Sequence, residues 1–498
     1  MAFRFNRTLC SIALGCSLVL SACGGGGSGD SPATSGATAQ PTSSFSGVVA
    51  DRNGLGIGGV GITVYIDNDH SEHTTTTDST GHYTVSGLQA GFPYGQYEIW
   101  ADKPGYAFLP SIGSTEGTVT KTDHNALFKT VIAIDARTAR TVSDANFTGL
   151  RASDKLVDLP RSGQSVSYVS GDDASAAHGV AWPTTRFIDN NNGTVSDMLT
   201  GLVWLKDAGC IIAQNWTSAL TAAGQLASGS CGLTDGSTAG QWRMPNIGEL
   251  ESLVDVSQSN PALTTAHPFT NIASTYWSST TYRGDTSEAW VIRFTDGRYI
   301  NDGSSNLKSS STHALWAVKT GGSAGAVALP ATGQFIVYAS GDDASLLKGV
   351  RMPYPRFIDN NNGTLTDAVT GLTWLKRADC IHADWAGAIA ATNALANGQC
   401  GLTDGSSAGQ WRMPNRNEML SLVDRAETNQ ALKFNTKFMK SNGAVDQAAI
   451  FDTFNELEYF WTSTTNHSDI TQAWTVFSCD FGVYNIDKTN IGFTLAVR

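Results

Sequence analysis

The sequence predicts a multidomain chain in which an N-terminal all-β sandwich is followed by two tandem α+β domains. Its 498 residues exceed what one ordinary hydrophobic core accommodates. The stretch RFIDNNNGT begins at Arg186 and again at Arg356, which indicates that a whole structural unit is duplicated. The 52 glycines and the low charged fraction of 15% predict many turns and short strands.

The first residues are typical of an export signal. Arg4 and Arg7 precede an apolar run over residues 11–20, which has the length of a signal-peptide core and is too short to span a membrane. The Leu-Ser-Ala-Cys that ends at Cys23 resembles the lipobox of bacterial lipoproteins, where lipid is attached to the cysteine. That resemblance implies a lipid-anchor role for Cys23. It also implies an outer-membrane destination, because Gly24 and not aspartate follows; an ordinary cleaved signal is the alternative.

Residues 23–44, after the predicted signal peptide of residues 1–22, are rich in glycine and serine and are expected to form a flexible tether. Loss of the signal removes two positive charges and changes the net charge from −12 to −14. Such an acidic chain disfavours nucleic acid as the main partner. The membrane, contacted through the lipid, is the expected partner, while the periplasmic or extracellular orientation and the oligomeric state stay open.

Four cysteines occupy equivalent places in the two repeats, Cys210 with Cys231 and Cys380 with Cys400. An exported protein meets oxidising conditions, so each pair is predicted to form a disulfide. Metal binding is the alternative, although neither pair has the C-x-x-C spacing of common metal sites.

The segment of residues 45–149 alternates apolar and polar positions between Gly, Asp and Asn breaks, which predicts a sandwich of short strands. The stretches SGVVADRNGLGIGGVGITVY and TTTTDSTGHYTVSGLQAG resemble the carboxypeptidase regulatory-like domain. This resemblance implies a transthyretin-like β-sandwich that acts as a spacer or a weak binding module.

The two repeats span residues 159–321 and 329–498, and each is expected to pack around its own core, because bulky residues such as Trp204 and Trp374 recur in matched pairs. Helical spacing follows Asn215 in the first copy and recurs around Trp385 in the second. Capping boxes, which predict a second helix in each copy, are formed by Asn246 with Glu249 and by Asn415 with Glu418.

The repeated motifs GDDAS, RFIDNNNGT, WLK, QWRMPN and YWSST or FWTST resemble the Lcl C-terminal domain, which is named for a bacterial collagen-like adhesin. That family is similar to the fold of C-type lectins and formylglycine-generating enzymes, in which loops on a small twisted sheet present the ligand surface. The adhesin's domain implies trimerisation and binding of sulfated glycosaminoglycans. This chain has no collagen repeats and carries two tandem copies, so the trimer does not follow from the resemblance.

The repeated aspartate loop has two interpretations. Oxygen-bearing residues at alternate positions around a glycine resemble a calcium loop, although threonine stands where its bidentate acid is expected. The other interpretation is a β-hairpin with Asn192-Gly193 in its turn. Calcium is the one possible cofactor, and its possible ligands are Asp189, Asn191, Asp197, Asp359, Asn361 and Asp367.

Catalysis is not predicted. No histidine is shared by the two copies, and the adjacent carboxylates Asp172 and Asp173 are expected to serve turns or helix caps, since neighbours in a strand point apart. An enzyme of the formylglycine-generating type therefore remains the least favoured alternative.

The second repeat has a longer segment before its penultimate tryptophan, and loops on a rigid scaffold often carry binding residues. Lys433, Lys437 and Lys440 could share one helical face and contact an acidic glycan; a merely solvated face is the alternative. The resulting hypothesis is a lipid-anchored, non-enzymatic surface protein that uses lectin-like domains for adhesion to an extracellular ligand, expected to be a glycan. A structural envelope protein that engages a protein partner is the second hypothesis.

Overall fold

The computed structural model describes most of the chain beyond its first 42 residues. The described ranges are 43–66, 71–88, 94–112, 130–135, 141–300, 305–334, 336–353, 355–425, 451, 458–478 and 482–498. Within these ranges the protein is mostly β-structure with six short helices, and none of those helices is long and apolar enough to cross a membrane.

The N-terminal domain is a β-sandwich, as predicted. One sheet has the order β4-β1-β9-β6 with β8 beside β1, and the other has the order β3-β2-β5-β7. Alternating apolar residues such as Val49, Ile62 and Phe108 fill the core between the sheets. The strands are β1 (Ser43–Asp51), β2 (Gly61–Ile66), β3 (Ser71–Thr76), β4 (His82–Leu88), β5 (Tyr94–Asp102), β6 (Tyr106–Ile112), β7 (Thr130–Asp135), β8 (Thr141–Val142) and β9 (Ala145–Arg151).

The first repeat contains two small sheets and three helices. Its elements are α1 (Asp173–Ala176), β10 (Phe187–Asp189), β11 (Thr194–Asp197), β12 (Leu202–Leu205), β13 (Ile211–Gln214), α2 (Trp216–Gln225), α3 (Ile247–Ser252), β14 (Thr275–Thr281), β15 (Ala289–Arg293), β16 (Arg298–Ile300), β17 (His313–Leu315) and β18 (Val318–Thr320). The sheet orders are β10-β11-β12-β18 and β13-β17-β14-β15-β16.

The second repeat follows the same plan. Its elements are α4 (Asp343–Leu346), β19 (Phe357–Asp359), β20 (Thr364–Asp367), β21 (Thr373–Leu375), β22 (Ile381–Ala383), α5 (Trp385–Ala394), α6 (Arg416–Ser421), β23 (Tyr459–Thr465), β24 (Gln472–Phe477), β25 (Val483–Asp487) and β26 (Gly492–Thr494). Its sheets have the orders β19-β20-β21 and β22-β26-β23-β24-β25.

The helix N-terminal caps and the disulfides form where the sequence predicts them. Both capping boxes form: the side chain of Asn246 accepts from the Glu249 backbone N–H, and the Glu249 carboxylate accepts from the Asn246 N–H, with the same exchange at α6. The Asn215 side chain caps α2. Both predicted disulfides are present, Cys210–Cys231 and Cys380–Cys400, each with its Cα atoms 5.7 Å apart.

The prediction that each repeat packs around a core of its own is only partly right. Trp216 and Trp277 lie in a buried cluster of the first repeat, and Trp385 and Trp411 lie in one of the second, but the largest cluster joins the copies. One continuous cluster of buried residues contains Trp204 and Trp316 from the first repeat together with Trp374 and Trp474 from the second. Apolar side chains from both copies exclude water from one another, so burial in either copy depends on the presence of the other.

The two copies also exchange the segments that lead into them. We call residues 156–180 the first arm and residues 326–350 the second arm. In the first arm, Asp173 of α1 accepts a hydrogen bond from Thr464 Oγ1 of the second repeat at 2.6 Å. Gln164 Oε1 accepts from the Thr465 N–H at 2.6 Å. The first arm is therefore anchored on β23, a strand of the other copy.

The second arm makes the reciprocal contacts on the first repeat. Asp343 of α4 accepts a hydrogen bond from Thr280 Oγ1 at 2.6 Å, and Gln334 Nε2 donates to the Thr281 carbonyl at 2.8 Å. Each arm thus crosses to the strand that follows the third helix of the other repeat, β23 for the first arm and β14 for the second.

A lysine held between two aromatic rings strengthens each crossing. Lys308 Nζ lies 4.3 Å from the ring centroid of Trp216 and 4.6 Å from that of Tyr338 on the second arm. The equivalent Lys488 Nζ lies 3.9 Å from Trp385 and 4.9 Å from Tyr168 on the first arm. These cation–π contacts join an arm ring to a core ring in both directions.

A buried arginine crosses the centre of the interface between the copies. Arg416, which begins α6, is fully buried, donates from Nη2 to the Gly297 carbonyl at 2.8 Å and forms an ion pair of 3.4 Å with Glu251. The equivalent residue of the first copy is Ile247, so this contact is made in one direction only. A buried guanidinium needs such partners to offset its lost hydration.

The sandwich packs against the second repeat. Ala107 and Leu150 share a small buried cluster with Ile358 and Ala368. The linker after the sandwich is also held, because the Val157 N–H donates to the Val369 carbonyl at 2.9 Å.

Because the copies share one interior, Trp374→Ala is expected to destabilise both repeats by about 3–5 kcal/mol, the usual cost of emptying a large aromatic site in a core. Hydrogen exchange followed by mass spectrometry would measure it as an equal loss of protection in peptides from both copies. Ile212→Ala, at a side chain that is 59% exposed, is the control and should change neither copy. Loss of protection confined to residues 355–498 would contradict the shared interior.

Candidate functional site

A cleft of about 650 Å³ lies between the first repeat and the second arm. We call it the first-repeat cleft. Helix α2, the segment that precedes α3 and strand β18 form one side, and the second arm forms the other. The residues that line it include Leu220, Gly224, Trp242, Arg243, Lys319 and Lys348.

Arg243 is fixed in this cleft by the capping box of α3. Its Nη1 and Nη2 donate to the two carboxylate oxygens of Glu249 at 2.6 and 2.5 Å, while Glu249 also accepts from the Asn246 N–H. The Arg243 side chain is only 10% exposed, and its Nε is fully enclosed without a hydrogen-bond partner among the described residues.

Lys319 lies beside the buried indole of Trp242. Its Nζ is 4.8 Å from the Trp242 ring centroid and forms an ion pair of 2.5 Å with Asp235. Burial alone would raise the pKa of Asp235, but hydrogen bonds from Lys319 and Ser237 outweigh it and lower the pKa. Asp235 is therefore ionised at neutral pH and balances the charge of Lys319.

Lys348 supplies the unbalanced charge. It is contributed by the second arm and is partly buried, and no ion pair or hydrogen bond joins it to another residue in the described part of the chain. Since Arg243 and Lys319 each have a carboxylate partner, the cleft carries one net positive charge from Lys348. A concave site with one uncompensated cation favours an anionic ligand.

The proposed calcium loop of the first repeat is a hairpin whose carboxylates are bound by the protein's own cations. Strands β10 and β11 pair as the hairpin interpretation predicts, with Asp197 opposite Phe187. Asp189 accepts from Lys206 Nζ at 2.6 Å, and the buried Asp197 accepts from Arg186 at 3.1 and 3.2 Å. Asn191 adopts a left-handed turn conformation with φ 56°.

The second repeat repeats this arrangement. Asp359 accepts from Lys376 Nζ at 2.8 Å, and Asp367 accepts from Arg356 at 2.9 and 2.7 Å. Asn361 again has φ 56°. Among the described residues, no group of three or more His, Cys, Asp or Glu side chains is placed to hold a metal ion. The calcium interpretation of both loops therefore gains no support, because their carboxylates already have cationic partners.

Gly193 shows why the loop requires glycine. Its φ is 84°, and a Cβ at this position would lie 2.3 Å from the Gly232 carbonyl oxygen, next to the disulfide residue Cys231. The NNNG turn is thus pressed against the cystine-braced loop of its own repeat, which gives the motif a structural role.

Two of the predicted site assignments fall outside the described residues. These are the lipid-anchor residue Cys23 and the lysine set Lys433, Lys437 and Lys440. Both stay predictions.

The adjacent carboxylates have separate structural roles. Asp172 caps α1 by accepting from the Ser175 N–H, as the sequence predicted. Asp173 is buried where the first arm crosses, and burial raises its pKa to about 6 despite hydrogen bonds from Ser162 and Thr464. Burial likewise raises the pKa of Asp343 to about 6.

The first-repeat cleft was not predicted from the sequence because its two walls come from different copies. At the equivalent place on the second repeat, α5 has Asn393 where α2 has Gly224, and the first arm has His178 where the second arm has Lys348.

Comparison with protein families identifies the repeats. The model of the Lcl C-terminal domain matches residues 193–319 and 363–498, more than half of the sequence. The chain belongs to the Lcl C-terminal domain family. The N-terminal sandwich matches the carboxypeptidase regulatory-like domain over residues 44–108. The matches to the Lcl C-terminal domain begin inside each hairpin, so both arms lie outside them.

Comparisons with individual proteins add little. No curated protein matches the sequence significantly. One similar solved structure is described as "Structure of the Streptococcal ancillary pilin"; it is 15% identical, with a TM-score of 0.15, and the match covers 34% of this chain and 54% of that chain. The aligned region therefore spans about half the length of that pilin, and a likeness at this level carries no argument about fold or function.

Calcium removal is expected to leave the melting temperature unchanged, because Lys206 and Arg186 already neutralise the loop carboxylates of the first repeat. Differential scanning calorimetry with excess EDTA and then with millimolar calcium measures this. A calcium-dependent rise in melting temperature that Asp189→Asn removes would restore the calcium interpretation.

The buried Asp343 is expected to make the unfolding free energy depend on pH. The folded chain retains the Asp343 proton up to about pH 6, whereas the unfolded chain loses it near pH 4. Ionisation in the folded state therefore costs stability as pH rises, up to ~3 kcal/mol. Relative to Asp343→Asn, the native protein should lose that amount between pH 4 and pH 7, as measured by urea unfolding.

Asp285→Asn is the matched control for this experiment. Hydrogen bonds from Ser287 lower the pKa of Asp285, so the native protein should gain stability over this variant as pH rises. The stability of the native chain relative to the variant should therefore fall with rising pH for Asp343→Asn and rise with pH for Asp285→Asn. Parallel pH profiles for the native chain and Asp343→Asn would contradict the role assigned to the buried carboxyl.

Proposed function

We propose that the protein is a lipid-anchored binding protein of the bacterial cell surface, and that its tandem Lcl C-terminal domains bind an extracellular glycan. The observation that carries the proposal is the first-repeat cleft. Its volume of about 650 Å³ falls in the range of small-molecule sites and suits one or two sugar rings.

The chemistry of the cleft favours binding over catalysis. The fixed guanidinium of Arg243, the ammonium groups of Lys319 and Lys348 and the amide of Gln241 offer hydrogen bonds to hydroxyl and anionic oxygens. None of the described residues that line the cleft is a histidine, a cysteine or a carboxylate. The lining hydroxyls of Ser340 and Thr320 therefore have no histidine or carboxylate base in the cleft, which favours ligand recognition.

Rigid support of the cleft favours specific recognition. Arg243 is held by a bidentate ion pair, and Lys319 is held by Asp235 against Trp242. Side chains that are already ordered lose little conformational entropy when a ligand binds. In our proposal the repeats are C-type-lectin-like domains whose irregular segments on a small-sheet scaffold present this surface.

The remaining parts of the chain fit presentation of such a domain pair. Cys23 would hold the lipid in the outer membrane, and the predicted tether, up to the start of β1 at Ser43, would connect the folded domains to it. The sandwich, which packs on the second repeat through Leu150 and Ile358, would act as a spacer that moves with the pair.

A glycan array probed with the mature protein tests this function. Cys23→Ser keeps the protein soluble without altering the folded domains. Retention of a defined set of glycans is expected, with binding that weakens as salt concentration rises, because exposed charge pairs are screened. If no glycan is retained and a stoichiometric envelope protein co-purifies instead, the protein-partner hypothesis replaces this one.

A further inference from the structure

A second pocket lies at the interface between the two repeats, apart from the first-repeat cleft. We propose that it binds the anion of a small aliphatic carboxylic acid, with Arg425 as the partner of the carboxylate and apolar side chains around the carbon chain. We call it the interface pocket, and it lies where the beginnings of both arms meet helices α3 and α6. This inference does not depend on the proposed binding of glycans.

Both arms and both repeats contribute to the interface pocket. Leu159 and Pro160 of the first arm line it together with the equivalent Leu329 and Pro330 of the second arm. The other apolar lining residues are Ile247, Ala331, Met352, Leu420 and Val423. The pocket has a volume of about 90 Å³, which is smaller than the apolar cavity of ~150 Å³ that admits benzene. It therefore suits a short chain of about four carbon atoms.

Arg425 adds a buried charge to this apolar lining. The residue is 5% exposed, and its guanidinium lies 4.2 Å from the ring centroid of Trp290 and 4.7 Å from that of Tyr299. Within the described residues, no ion pair or hydrogen bond joins the Arg425 side chain to another residue. Of its three nitrogens only Nη1 is fully enclosed, so Nε and Nη2 carry the accessible donors. A buried guanidinium needs a partner to offset its lost hydration, and a carboxylate in the pocket would supply one.

The charges around the interface pocket do not balance. Glu251 of α3 lines the pocket and forms an ion pair of 3.4 Å with Arg416 of α6. Arg425, which follows α6, is the additional cation. Leu420 stands in the second repeat where the first has Glu251, and Val256 stands in the first where the second has Arg425. Glu251 is the one carboxylate among the described lining residues, so one buried positive charge is left for an anion.

The combination of a cation with apolar lining defines the ligand class. An inorganic anion would balance the charge but leave the apolar side chains without contacts, and a neutral hydrocarbon would leave the guanidinium without a partner. A short aliphatic carboxylate satisfies both parts of the pocket. Because the pocket is lined by both copies, such a ligand would also stabilise their docking.

A methyl NMR titration tests the site. Met352 lines the pocket and is 3% exposed, so ¹³C-methyl methionine labelling of the chain with Cys23→Ser gives a reporter there. Butyrate, acetate and neutral butyramide are titrated at pH 7, with sodium chloride holding the ionic strength constant. Butyrate should shift the Met352 signal saturably and bind about tenfold more tightly than acetate or butyramide, which corresponds to about 1.4 kcal/mol. The signal of the exposed Met198 should not move.

Arg425→Val tests the role of the cation. The change gives the second repeat the residue that the first has at this place, and it removes a buried charge without leaving a partner unpaired. The affinity for butyrate should fall about tenfold, to that for butyramide. Arg377→Val is the matched control, because the Arg377 side chain is 52% exposed and pairs with Asp379, outside the pocket. This variant should bind butyrate as the native chain does.

Gly248→Asn tests the space in the pocket while Arg425 is kept. Asn417, the counterpart of Gly248 in α6, donates from Nδ2 to the Pro160 carbonyl at 3.1 Å. An asparagine at position 248 would extend in the same way toward Pro330, which lines the pocket as Gly248 does. A Cβ at Gly248 meets Asn246 Oδ1 at an ordinary 3.5 Å, so the helix accommodates the change. The affinity for butyrate should again fall about tenfold.

Three results would overturn the inference. They are the absence of a saturable shift of the Met352 signal with butyrate, equal affinity for butyrate and butyramide, and butyrate binding that Arg425→Val leaves unchanged. The glycan array is a separate measurement, so the proposed function stands or falls without reference to these titrations.

Discussion

The architecture of the repeat pair depends on the reciprocal crossing of two arms, each held by a buried aspartate. Asp173 and Asp343 each accept one hydroxyl from their own arm and one from the opposite copy, through Ser162 with Thr464 and Thr332 with Thr280. These carboxyls join segments that are distant in sequence at the point where the arm meets the core. The ring-sandwiched lysines and the wall of the cleft require the arms to be docked there.

The two copies share their scaffold residues and differ in side chains at the cleft. Both keep the residues that maintain the scaffold, including the capping boxes, the disulfides and the Arg186–Asp197 pair with its counterpart Arg356–Asp367. The changes at Gly224 and Lys348 lie on the cleft surface, where they alter space and charge without entering the core. Substitutions at such positions usually have small effects on stability, so the shared scaffold tolerates them.

The sequence predicted the features that short-range chemistry specifies. Asn246 and Glu249 lie three residues apart, which defines the capping box, and the matched cysteines and hairpins follow from equally local patterns. The shared core and the cleft were not predicted, because they depend on contacts such as Gln164 with Thr465, which lie far apart along the chain. Sequence spacing also does not show which cation a carboxylate meets: Asp197, one of the possible calcium ligands, accepts from Arg186.

Exchange of arms also sets a rule for any shorter version of this molecule. A single copy would have an undocked arm and an empty docking site for an arm. A carboxyl such as that of Asp173 would lack the hydroxyl that the other copy donates, and one edge of the core would be exposed to water. Two single copies would dock both arms by exchanging them about a two-fold axis. Because the two copies are covalently linked, their arms exchange within one polypeptide. Unlike the assembly of a swapped homodimer, this exchange does not depend on protein concentration.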